Sequence, residues 1–141
     1  MSTDSTTFAF VCVQNAGRSQ MSTAFAERER ERRDLEDSVE ILTGGTHPAD
    51  HVHAEVVDVM DEEGFNLSDR TPREVSTAEL ESCDVVATMG CSTLELDAES
   101  VDVRDWALDD PDGQDMDQVR EIRDDIEQRV VALFDEFHPD D

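Results

Sequence analysis

The stretch Val11-Cys12-Val13-Gln14-Asn15-Ala16-Gly17-Arg18-Ser19 joins a hydrophobic run to a segment with helical spacing. Residues 8–13 are apolar and β-branched, as in a buried strand, and the chain from Ser19 onward favours a helix. Residues 12–18 therefore form the turn between a strand and a helix. Backbone N–H groups in such a turn point inward and, together with the helix N-terminus, bind a tetrahedral anion.

Three side chains in this stretch supply chemistry to an anion site. The field of the turn favours the thiolate form of Cys12, and the thiolate is the nucleophilic form of cysteine. Arg18 offers a planar fork of donors to two oxygens, and Ser19 can donate its hydroxyl to the sulfur. The alternative is a buried cysteine at a strand end, followed by an arginine on a solvated helix face.

Composition restricts the partners of the chain. Its 141 residues, 37% of them hydrophobic, suit one domain over 1–141, in which we expect residues 1–6 to be flexible and 139–141 to form a tail. The net charge is -26 and every basic residue is arginine. Such a charge repels nucleic acid and anionic membranes, so neither is expected as a partner. An acidic, lysine-free surface indicates a halophilic protein of a salt-rich cytoplasm.

Targeting and disulfide signals are missing from the sequence. The first residues are polar, and no apolar run is long enough to cross a membrane, so we expect a cytoplasmic protein. Three cysteines are an odd number and do not suggest a secreted disulfide framework. Cysteine and histidine spacing predicts no metal site, and His47, His51 and His53 are expected to be turn and surface residues.

Strand and helix patterns alternate along the rest of the chain. Strands are predicted over 8–13, 39–43, 83–89 and 101–103, and helices over 19–33, 52–64, 77–81 and 117–137. This alternation predicts an α/β fold, a single three-layer domain with a four-stranded parallel sheet and helices on both faces. Ligands of such sheets bind beyond the carboxyl ends of the strands. Cys12, His47, Cys91 and Asp110 should then share one rim, with Cys83 at the opposite end as a structural cysteine.

The spacing from Cys12 to Arg18 and Ser19 resembles that of the low-molecular-weight protein tyrosine phosphatase superfamily. Asp110, followed by Pro111, matches the superfamily's general-acid aspartate, and Asn15 matches the asparagine that holds the loop backbone. The resemblance implies the low-molecular-weight phosphatase type of fold. It also implies catalytic roles for Cys12, Arg18, Ser19 and Asp110, with residues 13–18 as the oxyanion-binding loop.

Residues 15–21, 88–91, 105–114 and 119–126 resemble the arsenate reductase branch of that superfamily, and within it the arsenate–mycothiol transferases. Phosphatases of this class usually place tyrosines beside the general acid, whereas this chain contains no tyrosine. The resemblance implies a thiol-dependent arsenate reductase that binds arsenate or a phosphate-type oxyanion. The alternatives are a phosphatase for phosphotyrosine or small phosphoesters, and a non-catalytic redox sensor or oxyanion-binding module.

Arsenate reduction by Cys12 would require a second thiol. Thioredoxin-coupled relatives carry two further redox cysteines after strand three; Cys91 matches the first, but residues 92–100 contain no cysteine. No bound cofactor is expected. The reductant is either a small cytoplasmic thiol followed by a glutaredoxin-like protein, which we favour, or Cys91 followed by a thioredoxin-like protein.

Overall fold

The computed structural model describes residues 6–12, 15, 17–45, 49–68, 70–89, 102–106 and 115–137. Its strands are β1 (Thr6–Cys12), β2 (Val39–Gly45), β3 (Val85–Met89) and β4 (Asp102–Asp105). Its helices are α1 (Arg18–Arg32), α2 (Ala54–Asp61), α3 (Thr77–Glu81) and α4 (Met116–Phe137). The predicted elements are confirmed, and their ends agree or differ by at most three residues. Thr6, expected in the flexible start, is the first residue of β1.

The four strands form one parallel sheet in the order β2-β1-β3-β4. The chain leaves β1 for β2 on one side and then crosses to β3 on the other side, so the connection changes direction at β1. Ligands of open parallel sheets bind at such a switch point, beyond the carboxyl ends of the strands. Cys12 is the last residue of β1 and pairs with Gly45 and Met89, which places it at this point.

Side chains of β1 alternate between two hydrophobic clusters because successive residues of a strand face opposite sides of the sheet. Phe8 and Phe10 pack into the larger cluster, which includes buried residues of α1, α2 and α4. Ala9 and Val11 face a smaller cluster that contains Leu80 of α3. Helices therefore cover both faces of the sheet, and the predicted three-layer α/β arrangement is confirmed.

Helix α1 is buried at its start and charged towards its end. Its carboxylate Glu29 is 1% exposed and forms ion pairs with Arg32 and Arg33, the latter at 3.0 Å, as helical spacing predicts. The spacing also predicts a pair between Glu27 and Arg30, and this is wrong. Glu27 instead binds Arg70 at 2.7 Å, since the segment after α2 comes close enough to compete with a neighbour on the same helix.

Helices α2 and α4 are joined where α2 ends. The sequence predicts that α2 stops at Gly64; it ends at Asp61, three residues earlier, and Gly64 follows in the turn with φ +88°. Arg120 and Arg123 of α4 both donate to Glu62, and these hydrogen bonds, that of Arg120 above all, hold the pKa of the Glu62 carboxyl at about 2.

Within the described residues, no helix combines the length and apolarity that a membrane span requires.

Candidate active site

Two groups form hydrogen bonds with the sulfur of Cys12, a residue that is 3% exposed. The backbone N–H of Asn15 donates to Sγ at 3.2 Å, and the Ser19 hydroxyl lies 2.9 Å from the same atom. Ser19 Oγ also accepts a hydrogen bond from the Asn15 side chain at 2.7 Å, which leaves the hydroxyl hydrogen available to the sulfur. Two groups that are able to donate hydrogen bonds therefore lie against the sulfur of the candidate nucleophile.

Asn15 holds the shape of the turn between β1 and α1. Its φ of 51° lies in the left-handed region, which asparagine tolerates better than most residues, in agreement with the sequence-based expectation. Its side-chain Nδ2 donates to Ser19 at 2.7 Å and to Thr43 Oγ1 at 2.9 Å. Its Oδ1 accepts from Gln20 Nε2 at 3.1 Å and from the Arg73 backbone N–H at 3.0 Å. The amide thus uses two donors and two acceptors, its full capacity.

Helix α1 begins at Arg18, directly after Gly17. Arg18 is 9% exposed, and Gly17 and Ser19 are buried as well, so the start of α1 lies against the carboxyl end of β1. The N-terminus of a helix carries partial positive charge and N–H groups without helical partners. The sulfur of Cys12 and the N-terminus of α1 therefore lie together at this edge of the sheet, an arrangement that suits a negatively charged ligand.

The remaining predicted site residues lie outside the described residues. They are the loop residues Val13, Gln14 and Ala16, the expected second thiol Cys91 and the expected general acid Asp110. Their predicted roles stay predictions. His47 also lies outside the described part.

The contacts of three residues with Asn15 were missed from the sequence: those of Thr43, Arg73 and Gln20. Thr43 of β2 donates to the Phe10 carbonyl at 3.2 Å while it accepts from Asn15. Arg73 lies in the irregular segment after α2, for which the sequence predicts no function. Gln20 belongs to a helix segment that reads only as amphipathic. Polar residues of these types are common, so only their convergence on one amide identifies them.

One sequence signal did point to the approach of Arg73. A Cβ atom on Gly44 would lie 2.5 Å from Val75 Cβ, so glycine is required for the backbone to come this close. At the neighbouring Gly45, the N–H donates to the Arg73 carbonyl at 2.9 Å. The glycine pair at the end of β2 therefore marks a close backbone approach, but the sequence does not reveal which segment approaches.

An ion pair fixes this segment against α3. Arg73 donates to Glu79 at 2.9 Å and to the Thr43 carbonyl at 3.2 Å. Glu79 and Ser76 form the capping box that the sequence predicts at the start of α3. Hydrogen bonds from the Ser76 backbone and from Arg73 hold the pKa of the Glu79 carboxyl below its usual value. Arg73, whose N–H reaches Asn15, is thus held by its side chain against β2 and α3.

Cys83 lies at the opposite end of the sheet, as predicted, but it precedes the first residue of β3 by two positions and does not begin the strand. It is 2% exposed, and its thiol donates to the Glu79 carbonyl at 3.4 Å. Burial, together with the nearby charges of Asp84 and Glu79, raises the pKa of the Cys83 thiol to about 11. This environment favours the neutral thiol.

Metal ligands are not grouped in the described part of the chain, where no cluster of three or more histidine, cysteine or acidic residues could hold an ion. His51 is exposed and His53 immediately precedes α2.

The chain belongs to the family described as "Low molecular weight phosphotyrosine protein phosphatase", whose profile matches residues 7–140. A Halobacterium salinarum protein named "Putative arsenate reductase" is 89% identical over 142 residues, 100% of both chains. A "Glutaredoxin arsenate reductase" of Synechocystis is 31% identical over 129 residues, 89% of this chain and 93% of the relative. The solved Corynebacterium glutamicum thioredoxin-dependent arsenate reductase is 29% identical with a TM-score of 0.78; the match covers 96% of this chain but 63% of that structure.

Proposed function

We propose that this chain is a thiol-dependent arsenate reductase of the cytoplasm in which Cys12 is the nucleophile. The observation that carries the proposal is the pair of hydrogen bonds on the sulfur beside the start of α1: one from the Asn15 N–H at 3.2 Å and one with the Ser19 hydroxyl at 2.9 Å. The names of the relatives support arsenate as the substrate. A chain without tyrosine also favours a small inorganic substrate over a phenyl ester.

In the proposed first step the Cys12 thiolate attacks arsenic and a sulfur–arsenic bond forms. An arsenic–oxygen bond breaks, and Asp110 gives a proton to the departing oxygen, which leaves as water. General-acid help of this kind contributes about 10²–10⁴-fold. Arg18 and the N–H groups of residues 13–18 bind the remaining oxygens. Arsenic stays pentavalent in this step.

Reduction to arsenite needs two electrons, which two thiols supply when they form a disulfide. In the route we favour, a small thiol displaces Cys12 from arsenic. A glutaredoxin-like thiolate then attacks the sulfur of that thiol, and the sulfur–arsenic electron pair remains on arsenic. In the second route the Cys91 thiolate attacks Cys12, arsenite leaves, and a thioredoxin-like protein reduces the disulfide. The first route is favoured because residues 92–100 hold no cysteine to complete an internal relay.

A phosphatase is the second candidate function, because the family description specifies phosphotyrosine protein phosphatases. Phosphate and arsenate share charge and tetrahedral geometry, so the same thiolate could attack phosphorus. Water would then hydrolyse the cysteinyl phosphate without any redox step. A general acid at Asp110 serves both reactions, whereas a redox sensor or binding module would not need it.

The deciding experiment measures two reactions of the same protein in molar salt. Thiol-dependent arsenite production and p-nitrophenyl phosphate hydrolysis are compared for wild type, Cys12→Ser and the distant control Cys83→Ser. We expect wild type and Cys83→Ser to produce arsenite and Cys12→Ser to lose more than about 10³-fold in rate. Ester hydrolysis without arsenite would favour the phosphatase, and activity retained by Cys12→Ser would refute the mechanism. Cys91→Ser separates the two thiol routes, because turnover with a small thiol survives only in the first.

A further inference from the structure

Gln20 is the third residue of α1, and it is buried, with 2% exposure. Its Nε2 donates to the Asn15 backbone carbonyl at 3.1 Å and to Asn15 Oδ1 at 3.1 Å. An amide nitrogen carries two hydrogens, so both go to one residue. This double contact fixes the backbone carbonyl and the side chain of Asn15 relative to each other.

In the capping box, a common helix-start pattern, a glutamine at this position accepts a hydrogen bond through its side chain. The donor is the N–H of the residue before the helix. Here Gln20 Oε1 has no hydrogen-bond partner among the described residues, Gly17 included. Gln20 therefore donates to the turn and does not occupy an N–H at the start of α1.

We propose that Gln20 is a positioning residue for the anion site: by donating twice to Asn15 it holds the N–H of that residue on the Cys12 sulfur. Asn15 is the only link needed, because its N–H lies 3.2 Å from Sγ and its Nδ2 lies 2.7 Å from the Ser19 hydroxyl that also faces the sulfur. The inference rests on the proposed role of Cys12 as nucleophile.

Two substitutions separate positioning from packing. Gln20→Met keeps the side-chain length and a good helix propensity but removes both donors. Gln20→Glu keeps the shape but turns a carboxylate towards two Asn15 oxygens and adds an acceptor for the helix N–H groups. Thr23→Val is the matched control, because Thr23 is buried on the same helix and its hydroxyl donates to the Ser19 carbonyl at 2.7 Å, away from Asn15 and the sulfur.

The readouts are the alkylation rate of Cys12 by iodoacetamide at pH 7, followed by peptide mass spectrometry, and the protection of Cys12 by inorganic phosphate. Loss of two hydrogen bonds should slow alkylation and weaken phosphate protection about tenfold in Gln20→Met. In Gln20→Glu both effects should exceed about 100-fold. Thr23→Val should match wild type in both, and the thermal midpoint of Gln20→Met should stay near that of Thr23→Val.

Wild-type alkylation and phosphate protection in Gln20→Met would overturn the inference. Equal losses in Thr23→Val would also overturn it, because burial on α1 would then be the cause. The two proposals fail separately. If wild type makes no arsenite while Gln20→Met still slows alkylation, the proposed function fails and the positioning role stands. If wild type reduces arsenate and Gln20→Met reacts normally, only the positioning role fails.

Discussion

Cys12 and Cys83 are both buried thiols, with 3% and 2% exposure, and they lie at opposite ends of the same parallel sheet. Around Cys12 the Asn15 N–H donates a hydrogen bond to the sulfur, and the Ser19 hydroxyl is hydrogen-bonded to the same atom. At Cys83 the direction of the hydrogen bond is reversed, because the thiol itself donates to the Glu79 backbone carbonyl. Burial alone therefore does not decide the chemistry of a cysteine; the direction of its hydrogen bonds does.

The direction of strands and helices produces this difference. A parallel sheet brings its carboxyl ends to one edge, where helix N-termini follow, and these supply donors. The opposite edge receives the ends of helices, which supply carbonyls, and Cys83 is placed directly after α3. In a chain with a net charge of -26, acidic side chains near that edge add to the effect.

The largest expected difference between the two cysteines is in alkylation. At pH 7 a pKa of about 11 leaves roughly one Cys83 sulfur in 10⁴ as thiolate. We expect iodoacetamide to modify Cys12 at least about 100-fold faster than Cys83 in the folded protein, as measured by mass spectrometry of the two peptides. In protein unfolded by urea the two rates should converge. Similar rates in the folded state would show that hydrogen-bond direction does not control these thiols.

A smaller effect should follow from removing one donor from the Cys12 side of the comparison. Ser19→Ala deletes the hydroxyl 2.9 Å from the sulfur and should slow both Cys12 alkylation and turnover by about 10- to 100-fold. Ser22→Ala is the matched control, since Ser22 is equally buried on α1 but donates to the Arg18 carbonyl and to Met89. The prediction fails if the two alanine variants lose the same amount.

Most of the fold could be predicted from the sequence because the apolar periodicity changes clearly between strands and helices. The strand-end position of Cys12 and the distal position of Cys83 followed from the direction of parallel strands. The capping box at Ser76 was also predictable, because it is a local pattern. Features of this kind can be predicted because they depend only on residues that are close together in the sequence.

The support of the site could not be predicted in the same way. Asn15 receives hydrogen bonds from Arg73 and donates to Thr43, which are 58 and 28 positions away in sequence. No spacing rule connects such residues, since their contact depends on how β2 and the segment after α2 pack. The pairing of Glu27 was wrong for the same reason, because its partner Arg70 comes from outside the helix.

The smallest expected effect concerns stability at alkaline pH, and it tests the Cys83 side of the comparison. The pKa of Cys83 is raised from 9.0 to about 11 in the folded protein, so folding favours the neutral thiol. The stability this provides is present below pH 9 and is lost as the pH rises towards 11. Cys83→Ala lacks this group, so its free energy of unfolding should decline less over that range.

Urea unfolding in molar salt at several values from pH 8 to 11 measures this difference. The chain suits the measurement because it contains neither lysine nor tyrosine, and arginine stays charged, so thiols are the side chains that titrate in this range. Cys12→Ala is the comparison variant. If hydrogen-bond direction separates the two sites, Cys12→Ala should retain the alkaline loss of stability seen in wild type, whereas Cys83→Ala should not. Parallel curves for Cys83→Ala and wild type would mean that the folded state does not favour the Cys83 thiol.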